Sequence, residues 1–129
     1  LQNQEWKVYL DRQREMDYQI SRAGWTGDYP DPNTFLDMWT SWSQQNQTGW
    51  ADPKYDALIR KAAITKDPNA RLEVFQEAEE ILMDQLPIIP IYIYTRVYAL
   101  HPAVKNWHAN VLDHHPWKHI DLDLSLLKK

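Results

Sequence analysis

The sequence predicts an α/β fold, because segments with helical spacing of apolar residues alternate with segments in which apolar residues recur at every second position. Two helices are indicated most clearly, since each begins at an Asp-Pro pair, residues 52–53 and 67–68, that supplies an N-cap and a first helical proline. A strand over residues 91–99 is indicated as clearly by its strict alternation. At 129 residues the chain is long enough for one domain with its own hydrophobic core.

Four helical segments are predicted in chain order. Residues 2–14 form one amphipathic helix, and Asn33 and Thr34 cap a short helix that contains residues 35–39. The two Asp-Pro helices each carry an apolar stripe, which we interpret as core packing. The stripes are Tyr55, Leu58, Ile59 and Ala62 in the first helix and Leu72, Phe75, Ala78 and Leu82 in the second.

Three segments, residues 17–23, 91–99 and 118–124, alternate with period two and are predicted as strands. In the first, Arg22 falls in phase with the apolar side chains. It therefore either reaches solvent at the strand end or lines a cleft where a partner meets its charge. In the second, an aliphatic face opposes a Tyr and Arg face that includes Tyr94. Such a strand offers its polar face to a cleft or an interface. One alternative is therefore that the protein is a non-catalytic interaction domain.

A loop over residues 23–32, AGWTGDYPDP, contains two of the chain's three glycines and two of its eight prolines. We call it the glycine–proline loop. Glycine permits close backbone approach and proline fixes φ, so the composition indicates a specific backbone shape. The simplest interpretation is a strand end that runs into a stiff turn, with Trp25 buried as a plug and Asp31 as a turn former before proline.

Composition excludes several classes of function. A net charge of -4 and a pI near 5.7 argue against nucleic acid and anionic membranes as partners. The absence of cysteine excludes disulfides and thiol catalysis. Seven tryptophans and seven tyrosines against two phenylalanines suit a surface that contacts ligands, or else an aromatic core.

Catalytic and metal-binding motifs are weak. The five histidines all lie after residue 100 and match no metal-ligand spacing, so no metal site is expected. Asp28, Asp31 and Asp37 offer carboxylate pairs for glycoside hydrolysis, with tryptophans to stack on sugar rings. A glycosidase needs two acids at a defined separation, which the sequence does not fix. An enzyme is the weaker hypothesis, and no catalytic residue or cofactor is assigned.

Three ordered blocks resemble a known family. They are DYQISRAGWTGDYPDPNTFL at residues 17–36, GWADPKYDALI at 49–59, and residues 71–92, which contain AEEIL and LPIIPIY. Together they resemble the C-terminal part of the peptide-binding proteins of oligopeptide and dipeptide ABC transporters, which are extracellular solute-binding proteins of family 5. Residues 101–129 resemble the family only loosely.

The resemblance implies a two-lobed periplasmic-binding-protein-like (type II) fold, with helices packed on a mixed sheet, that is incomplete without an N-terminal segment. Residues 1–92 would complete the second, peptide-binding lobe, and residues 93–129 would form a crossover strand and a tail that returns to the first lobe. The start at LQNQ, which is neither an initiator Met nor a signal peptide, is expected for part of a longer chain. A free fragment would expose apolar surface, which a second copy can cover in a homo-oligomer.

The resemblance also implies a function and its residues. The protein would be the substrate-binding component of an importer in the periplasm or another extracytoplasmic location, soluble or anchored as a lipoprotein, and would deliver peptides to a membrane permease. Asp28 matches the acid that pairs with the α-amino group of the peptide, and Trp25 matches the aromatic beside the ligand backbone. Arg22 matches a cleft arginine. Thr26 and Tyr94 are further candidate contacts.

Two other ligands or activities stay open. Members of this family also bind sugars, nickel complexes or haem, so a non-peptide ligand is the first alternative. The Trp-rich glycoside hydrolase is the less favoured one. An acid at Asp28 favours ligands with a free amino group, because a buried ammonium needs a fixed carboxylate.

Overall fold

The structure, a computed structural model, describes residues 2–127 in two compact units. The first unit contains the residues up to Gly27 together with Asp31–Pro90, and the second contains Asp28–Pro30 together with the residues from Ile91 onward. The helices are α1 (Trp6–Arg14), α2 (Asn33–Leu36), α3 (Pro53–Ile64) and α4 (Pro68–Gln85), with 3₁₀ turns at Asp37–Trp39, Trp117–His119 and Leu124–Leu127. The strands β1 (Val104–Lys105) and β2 (Asp121–Leu122) form an antiparallel pair.

The predicted starts of α3 and α4 are confirmed. The Asp52 carboxylate accepts hydrogen bonds from the backbone N–H groups of Lys54 (2.8 Å) and Tyr55 (2.9 Å), and Asp67 caps α4 through Ala70 at 2.8 Å. The pKa of Asp52 is lowered first by the hydrogen bond from Tyr55, then by one from the Gln85 side-chain amide and more weakly by that from Lys54, while burial opposes them.

The earlier helices begin differently from the prediction. Helix α1 begins at Trp6 rather than near residue 2, because the Glu5 carboxylate accepts from the N–H groups of Lys7 (2.9 Å) and Val8 (3.2 Å) and so fixes the N-cap there. The predicted cap of α2 at Asn33 and Thr34 is wrong. Both residues lie inside the helix. The N-cap residue is Pro32, whose side chain makes no capping hydrogen bond.

The core of the first unit lies between α3 and α4. The predicted stripe of α3 is confirmed in full, and that of α4 is confirmed except at Leu72, which is 51% exposed. Successive helical residues are about 100° apart, so the face that buries Val74 and Phe75 turns away from Leu72 and includes Arg71. The buried cluster is Leu36, Tyr55, Leu58, Ile59, Ala62, Val74, Phe75, Ala78 and Leu82.

Tyr55 joins this core to α2. Its ring is fully buried, and its hydroxyl donates to the carbonyl of Leu36 at 2.6 Å. Burial raises the pKa of Tyr55, and the carboxylates of Asp37, Asp56 and Glu79 act in the same direction. The phenol is therefore neutral and remains a hydrogen-bond donor throughout the physiological range.

The strand predictions at residues 17–23 and 91–99 are wrong for this chain, and the prediction at 118–124 reduces to β2. A strand exists only where a second strand accepts its hydrogen bonds, and alternation within one segment does not supply that partner. Ile93 is 91% exposed and Val97 is 92% exposed, so the aliphatic face packs on nothing within the described residues. Within residues 2–127 the sheet has two strands, and the mixed sheet that the resemblance implies is not present.

Removing the Tyr55 hydroxyl should destabilise the first unit. We expect Tyr55→Phe to lower the free energy of unfolding by about 1–3 kcal/mol, because the buried carbonyl of Leu36 loses its donor. Urea denaturation at neutral pH measures this change. Tyr98→Phe is the matched control, since the aromatic contact of Tyr98 with Trp107 is made by its ring. An equal effect in both variants would contradict the role given to the hydrogen bond.

Candidate ligand-binding loop

Helix α1 holds the segment that leads into the glycine–proline loop. The Tyr9 hydroxyl donates to the carbonyl of Arg22 at 2.5 Å, and the Gln13 side-chain amide donates to the Ser21 hydroxyl at 3.0 Å. Residues 21–27 form neither helix nor strand, so side-chain bonds to α1 take the place of a strand ladder here.

Gly27 lies directly against α2. A Cβ atom at this position would lie 2.8 Å from the ring of Phe35 and 3.1 Å from the methyl group of Thr34. Thr34 is buried and belongs to α2, so it has little freedom to move away. Glycine is therefore required here for close approach rather than for an unusual φ.

Asp31 is fixed to α4 by an ion pair with Arg71. The two terminal guanidinium nitrogens lie 2.6 and 3.0 Å from the two carboxylate oxygens, a bidentate geometry. Arg71 also donates through Nε to the carbonyl of Ala62 at 3.2 Å, and its Cζ lies 4.5 Å from the ring centroid of Phe75. The prediction that Asp31 forms a turn explains one of these contacts, the 2.9 Å hydrogen bond that its carboxylate accepts from the N–H of Asn33. It does not explain the ion pair.

The hydrogen bond from Arg71 is the main reason that the pKa of Asp31 is lowered. The bond from the N–H of Asn33 and the charge of Arg71 act in the same direction, and partial burial opposes them. The carboxylate is therefore ionised, and the pair intact, throughout the neutral range.

The predicted ligand contacts are all exposed to solvent. Trp25 is 38% exposed, so its interpretation as a buried plug is wrong. Arg22 and Thr26 lie with it in the first unit, and Asp28 and Tyr94 lie in the second. The ring of Tyr94 packs edge-on against Tyr92, with centroids 4.7 Å apart.

Two of the three acids considered for glycoside hydrolysis have structural contacts. Asp31 is in the ion pair with Arg71, and Asp37 accepts a 2.9 Å hydrogen bond from the side-chain amide of Asn33. These contacts explain both side chains without a hydrolytic role.

The histidine-rich tail of the second unit contains an aromatic and ionic cluster. His115 stacks on Trp107 with centroids 3.7 Å apart, and Tyr98 packs edge-on against both rings. Asp113 lies 2.8 Å from His115 Nε2 and 3.3 Å from Arg96 Nε. Over residues 2–127, no three His, Asp or Glu side chains are grouped so that they could hold a metal ion.

Arg71 is the residue of this region that sequence reasoning did not assign to the site. A signal for it existed, because Arg71 lies four positions before Phe75 on the apolar face of α4. An arginine whose charge is buried beside such a stripe needs a carboxylate partner.

The chain is similar to several peptide-binding proteins. The dipeptide-binding protein DppE of Bacillus subtilis is 37% identical over 122 residues, which are 95% of this chain and 22% of that protein. The oligopeptide-binding protein OppA of Bacillus subtilis is 41% identical over 100 residues, 77% of this chain and 18% of OppA. No protein-family model matches the chain.

The solved structures agree. The crystal structure of Haemophilus influenzae OppA in complex with the peptide RPPGFSPFR matches 95% of this chain and 24% of its own, with a TM-score of 0.82 and 33% identity. The class defined by these neighbours is that of the two-lobed periplasmic peptide-binding proteins, which confirms the predicted fold class. The chain belongs to the family of oligopeptide- and dipeptide-binding proteins, extracellular solute-binding protein family 5. It spans about a fifth of the length of the curated relatives that it matches.

The ion pair predicts how stability depends on pH. The pKa of Asp31 is lower in the folded than in the unfolded chain. The ion pair therefore contributes fully to the free energy of unfolding above the unfolded pKa of about 4, and this contribution is lost as the pH falls through the folded pKa. We expect the difference in urea midpoint between wild type and Asp31→Asn to shrink below about pH 4. Arg71→Met should reproduce this pH dependence, because it breaks the same pair. A difference that stays constant down to pH 3 would contradict it.

Proposed function

We propose that this chain is the C-terminal part of the substrate-binding component of an ABC importer, which binds peptides in a cleft between two lobes and delivers them to a membrane permease. The observation that carries the proposal is the exposed glycine–proline loop, which contacts α2 at Gly27 and α4 at Asp31, in a chain whose relatives are peptide-binding proteins. The function is binding and release rather than catalysis.

Asp28 is proposed to bind the α-amino group of the peptide. A bound ammonium loses water and needs a fixed carboxylate, which a charge-assisted hydrogen bond supplies. Trp25 would pack beside the peptide backbone, where a half-exposed aromatic offers a large apolar face. Arg22, Thr26 and Tyr94 are proposed as further contacts, and their exposure supports a place in a cleft.

The two parts of the chain are proposed to belong to different lobes. Residues 1–92 would complete the peptide-binding lobe, and residues 93–129 would cross to the other. The exposure of both faces of residues 91–99 supports this division, because such a segment is suited to pairing with strands from the rest of a longer protein. The same exposed surface is what a second copy would cover in a homo-oligomer of the isolated chain.

An extracytoplasmic location completes the proposal. The Haemophilus influenzae OppA that this chain resembles is described as periplasmic. Among residues 2–127, no helix has the length and the apolar character needed to cross a membrane.

Replacing the proposed anchor should reduce peptide affinity. In the whole protein that carries this chain, we expect Asp28→Asn to weaken binding of a free-amine tripeptide by about tenfold to a hundredfold, the value of one charge-assisted hydrogen bond. Isothermal calorimetry measures the loss. Asp84→Asn, an exposed acid on α4, is the matched control. Undiminished affinity in Asp28→Asn would remove Asp28 from the site, and absence of tripeptide binding by the wild type would refute a peptide ligand.

Hydrogen exchange tests the proposed division into lobes. We expect the amides of residues 91–99 to exchange rapidly in the isolated chain and slowly in the whole protein, where they would gain strand partners. Residues 74–82 of α4 are the internal control, because their helical hydrogen bonds protect them in both samples. Equally rapid exchange of residues 91–99 in both samples would contradict a crossover strand.

A further inference from the structure

We propose that Tyr9 is a positioning residue for peptide binding: its hydroxyl holds the carbonyl of Arg22 and thereby fixes the backbone that leads to Trp25. The inference rests on the proposed function, which places Trp25 beside the backbone of the bound peptide. It adds a residue of α1 that acts through Trp25 rather than through a contact of its own with the ligand. All the contacts that carry it lie within the first unit.

The first step is that Trp25 has no polar or aromatic partner of its own. Among residues 2–127 it forms neither a hydrogen bond nor a ring contact, and it is 38% exposed. Residues 21–27 lie in neither helix nor strand, so no backbone ladder aligns them. Apart from apolar packing, the position of the indole therefore depends on where the backbone on each side of it is held.

The second step is that this backbone is held on both sides. Before Trp25, the Tyr9 hydroxyl donates to the carbonyl of Arg22 at 2.5 Å, and the parallel bond from Gln13 to Ser21 is 3.0 Å long. After Trp25, the backbone at Gly27 packs against α2 so closely that no Cβ fits. The four residues 23–26 lie between these two points, so a change at either one is transmitted to Trp25.

The third step is that the Tyr9 side chain has a defined orientation. Its ring stacks on the ring of Trp6, with centroids 5.2 Å apart and planes 28° apart. A phenol that is stacked on its face and bonded at its hydroxyl loses one of the two contacts when it rotates. The carbonyl of Arg22 is therefore held at a fixed place relative to α1.

The fourth step is that α1 is attached to the rest of the first unit. Just after this helix, the Tyr18 hydroxyl donates to the carbonyl of Gln47. Close by, Gly49 packs so tightly that a Cβ atom would lie 3.3 Å from the sulfur of Met16. The loop that receives both contacts is fixed by the side-chain amide of Asn46, which donates to the carbonyls of Trp39, Thr40 and Trp50. Trp39 and Trp50 pack against the hydrophobic core.

The consequence concerns peptides in general rather than one class of peptide. An aromatic ring contributes contact area, which it loses when the backbone beneath it is free to move. Trp25 is assigned to the peptide backbone, which every peptide has, whereas Asp28 is assigned to the amino group. Loosening the carbonyl of Arg22 should therefore weaken a tripeptide and its N-acetylated form by the same factor.

The experiment is a double-mutant cycle on the whole protein that carries this chain, with both peptides titrated by calorimetry. Tyr9→Phe removes the hydroxyl and keeps the ring that stacks on Trp6. We expect it to weaken both peptides by about threefold to tenfold, the value of one hydrogen bond. In the Trp25→Ala protein, Tyr9→Phe should cause no further loss, because residues that act through one another are not additive.

Ile81→Val is the control for stability. Ile81 packs against the hydrophobic core and its shortening lowers the free energy of unfolding without touching residues 21–27. Titrations are run well below the unfolding midpoint of every variant. If Tyr9→Phe does not fold, Ser21→Ala, which removes the parallel bond from Gln13, takes its place in the cycle.

The outcomes separate positioning from stability and from the proposed function. A loss in Tyr9→Phe that disappears in the Trp25→Ala protein, with unchanged affinity in Ile81→Val, supports the inference. A loss that persists in the Trp25→Ala protein, no loss, or an equal loss in Ile81→Val overturns it and leaves peptide binding in place. Wild-type affinity in Trp25→Ala removes Trp25 from the site, and the inference with it. A wild-type protein that binds neither peptide refutes the proposed function itself.

Discussion

The packing of α3 against α4 is the constraint on which the rest of the first unit depends. Three further parts of this unit are attached to that helix pair by polar contacts at the edge of the apolar core. Tyr55 binds the end of α2 through the carbonyl of Leu36, and Gln85 accepts from the Trp50 indole at 2.7 Å while donating to Asp52 at 2.7 Å. Arg71 holds the glycine–proline loop through Asp31. Apolar burial supplies the stability, and these contacts determine where the connecting segments lie.

Sequence signals that act within a few residues predicted the helices well. They failed for the strands, because a strand depends on a partner that is distant in the sequence. An Asp-Pro start acts within four residues, so the beginnings of α3 and α4 could be predicted from the sequence. The alternation of residues 91–99 could not become a strand without a partner, and its partner is not determined by the segment itself. The prediction that Leu72 is buried is wrong for a different reason. Arg71, rather than the apolar Leu72, occupies the core-facing edge of α4, because Asp31 neutralises its charge.

The candidate site was predicted unevenly for the same reason. Family resemblance supplied Asp28 and Trp25 as residue types, but a residue type does not reveal what fixes a loop. The ion pair that does so joins residues 40 positions apart in the sequence. Trp25 lies between two positions held by other elements, Arg22 by α1 and Gly27 by α2, and no local pattern contains that information.

The exposed segment at residues 91–99 also has a consequence for handling the isolated chain. It combines strong β-propensity with exposure to solvent outside any strand, a combination that favours intermolecular sheet growth. Arg96 introduces the one charge of the segment, and Pro87 and Pro90 precede it, so charge and proline limit the apolar run in the manner of gatekeeper residues. Residues 91–99 are in this way an aggregation hazard in the free chain, which the charge of Arg96 opposes.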